Sequence, residues 1–388
     1  MQIVLIAAFA LVGAALIGWL VHRKAGQPAS TPVRPGKPTH RPAYRVEQTA
    51  ASVHVTLPLP VPALPPEIKT LQLARAENLE PARWETVVDT FSHVPRPPRL
   101  LTQLVSLDLM SASSSHDLMA MISREPLIAA KVLAAVNSPA YGLGRPVTGV
   151  GQAVTFLGLN GVRSICMQYA LMQAFQADCP ARAKRLSALW LASAMAGELC
   201  QHPMNRVGLP DPGGMNSAVV LSFLGSLAVT VGLSRAQLAR MPARDSLQRT
   251  LAEQAQWGVA AAEIGRMLMT RWDLPASIVD EAAQISQGLV APFKSSQDTA
   301  ALRRAFAHLC VCLAERLAFG ELGSLADFDL AADDSHELAC ARSFLADVRF
   351  VALVAELRST HLSRRATQMM GSAPRVTVAP RQVATAPA

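Results

Sequence analysis

Charge is scarce in this chain of 388 residues: Asp, Glu, Lys and Arg make up 16%, against a hydrophobic fraction of 51%. That balance leaves ample apolar material for a core, and the length allows about two domains. Runs of β-branched residues are few and Ala and Leu dominate the interior, which favours an all-α fold. No Cys-x-x-Cys pair occurs, so zinc spacing is absent. Cys166, Cys179, Cys200, Cys310, Cys312 and Cys340 lie mostly in apolar helical stretches. They are expected to be reduced, buried, small hydrophobes of a cytoplasmic domain. Gly-x-Ser-x-Gly is missing, which removes the serine-hydrolase elbow. Gly-x-Gly-x-x-Gly is missing too, which removes the dinucleotide fingerprint and leaves Gly142-Leu143-Gly144 as a turn between helices. No histidine occurs between His202 and His308. His22, His40, His54, His93, His116, His202, His308, His336 and His361 have no partner at metal spacing and are expected to be solvated or capping residues.

One long uncharged run is present. Ile3 to Val21 reads IVLIAAFALVGAALIGWLV, about 19 residues, enough to cross the hydrocarbon core of a bilayer. Only Met1 and Gln2 precede it, whereas His22, Arg23 and Lys24 follow. A cleaved signal wants its positive charge in front, so a retained single-pass anchor is expected. The basic flank places the C-terminal side in the cytoplasm and the short N-terminus outside, with Trp19 at the interface. Residues 22–66 hold many of the 27 prolines and form an extended, basic linker.

The formal charge of +8 suggests nucleic acid until it is located. The stretch 22–66 carries +5 and residues 363–388 carry +4, which leaves −1 for everything between. Basicity therefore belongs to the tails, where it suits anionic lipid, and no nucleic-acid partner is expected.

Between the tails the pattern is helical. A lead-in helix over 67–94 centres on Trp84, Val87, Val88 and Phe91, and Leu100, Leu101, Leu104 and Leu107 form one stripe. Ser114 and Asp117 approximate a capping box. Further helices are expected at Ala181 to about His202, Ser217–Val231, Leu251–Trp272, Ala276–Gln287, Leu302–Phe319 and Ala339–Leu357, with a loop at Gln201–Met215. Asp327, Asp329, Asp333 and Asp334 lack the EF-hand order and should form a solvated loop. From Ser363 on the chain is small, polar and basic, and disorder is expected.

The organising stretch is Ser123–Phe175. Leu127, Ala130, Val132, Leu133 and Val136 place one helix, which Asn137-Ser138-Pro139 ends. Val150, Val154 and Leu157 give a second, stopped at Gly158, and Asn160 caps a third lined by Val162, Ile165, Tyr169 and Met172. Glu125-Pro126, Lys131, Leu133, Asn137-Ser138, Tyr141, Arg145-Pro146-Val147, Ala153, Leu157-Gly158-Leu159 and Val162-Arg163 occur in this order. The stretch resembles the HDOD family, relatives of the HD and HD-GYP phosphohydrolases, with Glu125 where the family more often has Asp. The resemblance extends more weakly over Pro95 to Gly288. It implies an HD-like helical bundle over 95–288, followed by a C-terminal helical extension over 289–362 and the tail 363–388.

A hydrolytic HD site gathers His and Asp on a metal that activates water. At the positions where such relatives carry ligands, this sequence has Ala192 in Trp190-Leu191-Ala192-Ser193, then Gly225 and Ser226, Ala261, and the region of Ile285 and Ser286. No catalytic residue, metal ligand or cofactor is expected. Asn137, Tyr141 and Arg163 are the candidate docking residues; alternatively Asn137 caps a helix, Tyr141 packs over the turn and Arg163 pairs with a carboxylate. The resemblance implies a membrane-tethered, non-enzymatic signalling or scaffold protein binding a protein partner or a small regulatory ligand. The alternatives are a divergent metal-dependent phosphohydrolase and a cyclic-dinucleotide receptor.

Overall fold

The computed structural model describes residues 63–97, 103–104, 114–123, 125–138, 145–172, 174–242, 245–371 and 376. All of them belong to one contact unit, Thr56–Ala388. The apolar run 3–21, nearly all of the linker, most of the Leu100–Leu107 stripe, Tyr141 and residues 377–388 lie outside the described residues.

Helices follow one another in the order α1 Pro66–Thr70, α2 Pro81–Ser92, α3 Ser114–Ser123, α4 Pro126–Val136, α5 Val150–Met172, α6 Pro180–Val207, α7 Pro212–Ser222 and α8 Leu224–Gly232. Then come α9 Arg235–Arg240, α10 Ser246–Trp257, α11 Ala261–Arg271, α12 Ala276–Gln284, α13 Thr299–Ala318, α14 Ala339–Ser343, α15 Val348–Leu357 and α16 Thr360–Gly371. No β-strand occurs among the described residues, so the all-α class holds. The proline content does not contradict it. Pro66, Pro81, Pro126, Pro180 and Pro212 all open helices, where a missing N–H leaves no bond unmade. Ser234 and Gln237 form a full capping box at α9, and Asp211, Asp245, Asp298 and Asp347 cap α7, α10, α13 and α15.

The bundle is arranged around α6. Along 28 residues it buries Leu186, Leu189, Trp190, Met195, Leu199 and Met204 on all sides, as a helix does when it is enclosed by others. It packs against α5, α7, α8, α13, α15 and α16. Small residues permit the crowding: a Cβ on Gly197 would sit 2.9 Å from Asn216 Oδ1 on α7. The region after Gly288 shares this core, since α13 supplies Leu302, Phe306, Leu309 and Leu313 to the same apolar cluster.

Several sequence expectations need correction. Helix α6 continues through Pro203 to Val207 because Cys200 and Met204 are buried, and Gly208, with φ of 77°, ends it. The loop expected over Gln201–Met215 therefore shrinks to four residues before α7. The apolar stretch Pro212–Gly232 is long enough to cross a membrane, yet most of it is buried in the bundle, where it forms two core helices hinged at Phe223. Gly258, with φ of 84°, splits the helix expected over Leu251–Trp272 into α10 and α11. The segment Ala339–Leu357 is likewise broken, at Phe344–Ala346 and Asp347. The disorder expected from Ser363 is overturned as far as Gly371. There α16 buries Leu362 and Ala366 one turn apart, and Arg365 reaches Glu198 on α6 at 3.4 Å.

The tightest approach is between α8 and α11. A Cβ on Gly225 would fall 1.7 Å from the Ala261 carbonyl oxygen, and one on Gly265 would lie 3.0 Å from the Gly225 nitrogen. Backbone cannot yield as a flexible side chain does. Gly225→Ala should therefore destabilise the bundle by roughly 3 kcal/mol or more in urea melts. Gly149→Ala, which meets nothing within 4 Å, should change stability by less than about 0.5 kcal/mol.

Candidate functional site

The positions that would carry ligands in a hydrolytic relative fall inside the core. Ala192 is fully buried on α6, Gly225 and Ala261 are pressed together, and Ile285 is 2% exposed. Ser286 donates its hydroxyl to the Ala283 carbonyl at 2.8 Å. These side chains offer neither imidazole nor carboxylate, and the Gly225–Ala261 approach leaves no volume between α8 and α11. The residues do not fit a divalent ion. Among the described residues no group of three or more His, Cys, Asp or Glu is placed to hold a metal. The six cysteines are free and buried, and burial pushes the Cys166 and Cys340 thiols up to about 12, which leaves them poor nucleophiles.

Of the three candidate docking residues, Asn137 and Arg163 are described and Tyr141 lies outside the described residues. Asn137 Nδ2 donates to the Val147 carbonyl at 2.8 Å, and the Val147 N–H donates back to Asn137 Oδ1 at 2.7 Å. This pair of bonds closes the turn between α4 and α5 as a strand-like clasp would. Arg163 lies buried on α5, where desolvation lowers its pKa and the charge of Asp211 partly restores it. Beside it, Asn160 packs closely on Gly213, where a Cβ would lie 2.7 Å from its Nδ2. Asn137 thus ties the end of α4 to Val147 ahead of α5, and Asn160 packs on the loop before α7.

A buried charge network that the sequence did not announce joins α10, α13 and the segment 333–342. Arg249 forks onto Glu315 at 2.7 and 3.0 Å, and both side chains are less than a tenth exposed. Glu337 accepts from Arg316 and from the Ser246 N–H, each at 2.6 Å. Asp333 pairs with Arg316 at 2.6 Å, so one of the four loop aspartates is structural, while Asp327, Asp329 and Asp334 are solvated. Glu253 accepts the Ala261 N–H at 2.7 Å, and its burial raises its pKa. His308 is 4% exposed, its ring 3.5 Å from Cys312 Sγ and close to Glu337. It is therefore a core histidine, not a solvated one. Burial lowers its pKa below 6.5, although Glu337 opposes the shift.

The open concavity lies elsewhere. A groove of about 880 Å³ runs between the N-terminal half of α6, α9, and the C-terminal ends of α13 and α16. Leu191, Leu238, Met241, Leu317, Phe319 and Met370 give it apolar walls. Lys184, Arg185 and Arg235 also line it; among the described residues no carboxylate lines it, although Asp178 stands 3.8 Å from Arg235. No motif could have flagged it, because its four walls lie up to 192 residues apart, from Cys179 to Gly371.

An all-α bundle, with no strand among the described residues, defines the class of protein. The HDOD domain pattern matches residues 94–287, half of the sequence, and the chain belongs to the HDOD domain family. Its fold resembles that of an HDOD domain protein of unknown function from Geobacter sulfurreducens, at 20% identity and a TM-score of 0.50, covering 73% of this chain and 97% of that one. A protein from Shewanella amazonensis described as a candidate phosphohydrolase matches at 19% identity and a TM-score of 0.50, covering 74% and 97%. A candidate signal transduction protein from Marinobacter aquaeolei matches at 19% identity and a TM-score of 0.49, covering 79% and 63%. At these identities the likeness concerns the fold. No curated protein matches.

Removing one member of the buried pair strands the other. Arg249→Met should cost roughly 3–5 kcal/mol in urea melts, and Arg249→Met/Glu315→Leu should cost less than the single change; an equal or larger loss in the double variant would refute a paired charge. The His308 shift has a sign as well. Its folded pKa lies below 6.5, so the unfolded chain binds the extra proton and this contribution to stability is lost as pH falls below about 6.5. His308→Gln should flatten the drop in melting temperature between about pH 7 and pH 5 relative to wild type, and parallel curves would contradict the assignment.

Proposed function

We propose that this chain is a non-enzymatic signalling or scaffold protein. Residues 3–21 tether it to the bacterial cytoplasmic membrane with the N-terminus outside, and its HDOD bundle binds a protein partner or a small regulatory ligand in the cytoplasm. One observation carries the non-enzymatic part. Where a hydrolytic relative needs His and Asp around a metal, Gly225 and Ala261 bring two helix backbones into contact. A metal-activated water needs both ligands and space there.

Binding is the work left to such a bundle. The groove beside α6 supplies a concave, mostly apolar surface of the size that small ligands use. Phe156, 62% exposed on the motif helix α5, offers a protein partner an apolar contact. The basic linker would add attraction to anionic lipid next to the anchor, and the extended proline-rich chain would let the bundle sample partners near the bilayer.

The purified full chain, supplied with manganese or iron, should neither hydrolyse phosphodiesters nor retain the ion stoichiometrically. Turnover that tracks bound metal would reverse the conclusion. In cells, removal of residues 3–21 should move the protein from the carbonate-resistant membrane fraction to the soluble one, and an unchanged distribution would remove the tether.

A further inference from the structure

Helix α6 starts at the groove, with the Asp178 carboxylate just ahead of it paired to Arg182 and 3.8 Å from Arg235. Its N-cap, Cys179, makes no side-chain capping bond, and no acidic residue occupies the first turn. The free amides of a helix start, together with the positive end of the helix dipole, attract anions. A second feature points the same way. Arg185, 8% exposed, lines the groove, and its Nε is buried without a hydrogen-bond partner among the described residues. Its remaining nitrogens donate to the Met241 and Pro242 carbonyls at 3.4 and 3.1 Å. Burial and neighbouring Arg249 hold this guanidinium down at about 10, although Glu253 and Glu315 oppose them.

Two exposed cations stand over the same opening. Lys184 makes no ion pair among the described residues. Arg235 is held only loosely by Asp178, at 3.8 Å, and Asp178 also serves Arg182. The opposite walls are apolar and come from Leu317–Gly320 and Met370–Gly371, beyond the residues 94–287 that define the family match. The far rim is crossed by Val376, whose N–H donates to Ser187 Oγ at 2.8 Å. The C-terminal region therefore completes a half-basic, half-apolar groove that the family domain alone would leave open.

We propose that this groove binds a soluble organic phosphate, with Lys184, Arg235 and the first-turn amides of α6 holding the phosphate, and Leu238, Met241 and Phe319 enclosing its apolar body. This rests on the small-ligand half of the proposed function and names the ligand's chemistry. The test uses the full chain in zwitterionic nanodiscs, with 1-naphthyl phosphate, uncharged 1-naphthol and inorganic phosphate titrated by calorimetry. Naphthyl phosphate should bind at least about tenfold more tightly than either other probe, since only it satisfies both walls. Lys184→Gln/Arg235→Gln, both surface changes, should weaken naphthyl phosphate at least about fivefold and leave the melting temperature unchanged. Equal affinity for naphthol, or no loss in the double variant, would overturn the proposal. Displacement of the probe when the nanodiscs contain a phosphomonoester lipid would overturn its restriction to soluble ligands. Release of phosphate from the probe would instead sink the non-enzymatic reading and leave the groove standing.

Discussion

Enclosing one long helix on every side is the constraint from which the rest of this structure follows. Helix α6 buries most of its surface, so its neighbours approach through small residues such as Ala192, Ala196 and Gly197. Close-packed interiors tolerate little change in volume at such points. The same helix supplies one wall of the groove, one contact surface for the C-terminal region and the residue that stands at a ligand position in hydrolytic relatives. Stability and function are thus read from one element.

The second close approach, between Gly225 and Ala261, ties chemistry to packing. Backbone meets backbone there, which leaves no room for a side chain at position 225. Glu253 anchors the start of α11 from the neighbouring helix α10 by accepting the Ala261 N–H, so the contact is braced from outside. The charge network around Arg249, Glu315, Arg316 and Glu337 lies on the far side of that brace. It stitches α10 and α13 to the segment after residue 333, and so fastens the family bundle to the C-terminal helices.

That fastening matters because the groove lies across the seam. Its basic wall belongs to α6 and α9, within the matched family region, and its apolar wall belongs to α13 and α16. A rigid seam holds both walls at a constant spacing, which is the condition for recognising a ligand with two unlike ends.

Helix content, the prolines that open helices, the Asn137 and Gly158 boundaries and the family motif were all legible in order along the chain, because each depends on neighbours within a few residues. Glycine and proline misled wherever packing outweighed them: Pro203 sits inside α6, and residues 363–371 fold against α6 through Leu362 and Ala366 despite a polar, basic composition. The sequence by itself determined the class of fold and the family, since these are properties of residue type and local spacing. Only the tertiary structure decided that Gly225 and Ala261 meet, that His308 is buried beside Glu337, and that Lys184 and Phe319 share a groove. Those pairs are far apart in the chain, and only burial around α6 brings them together.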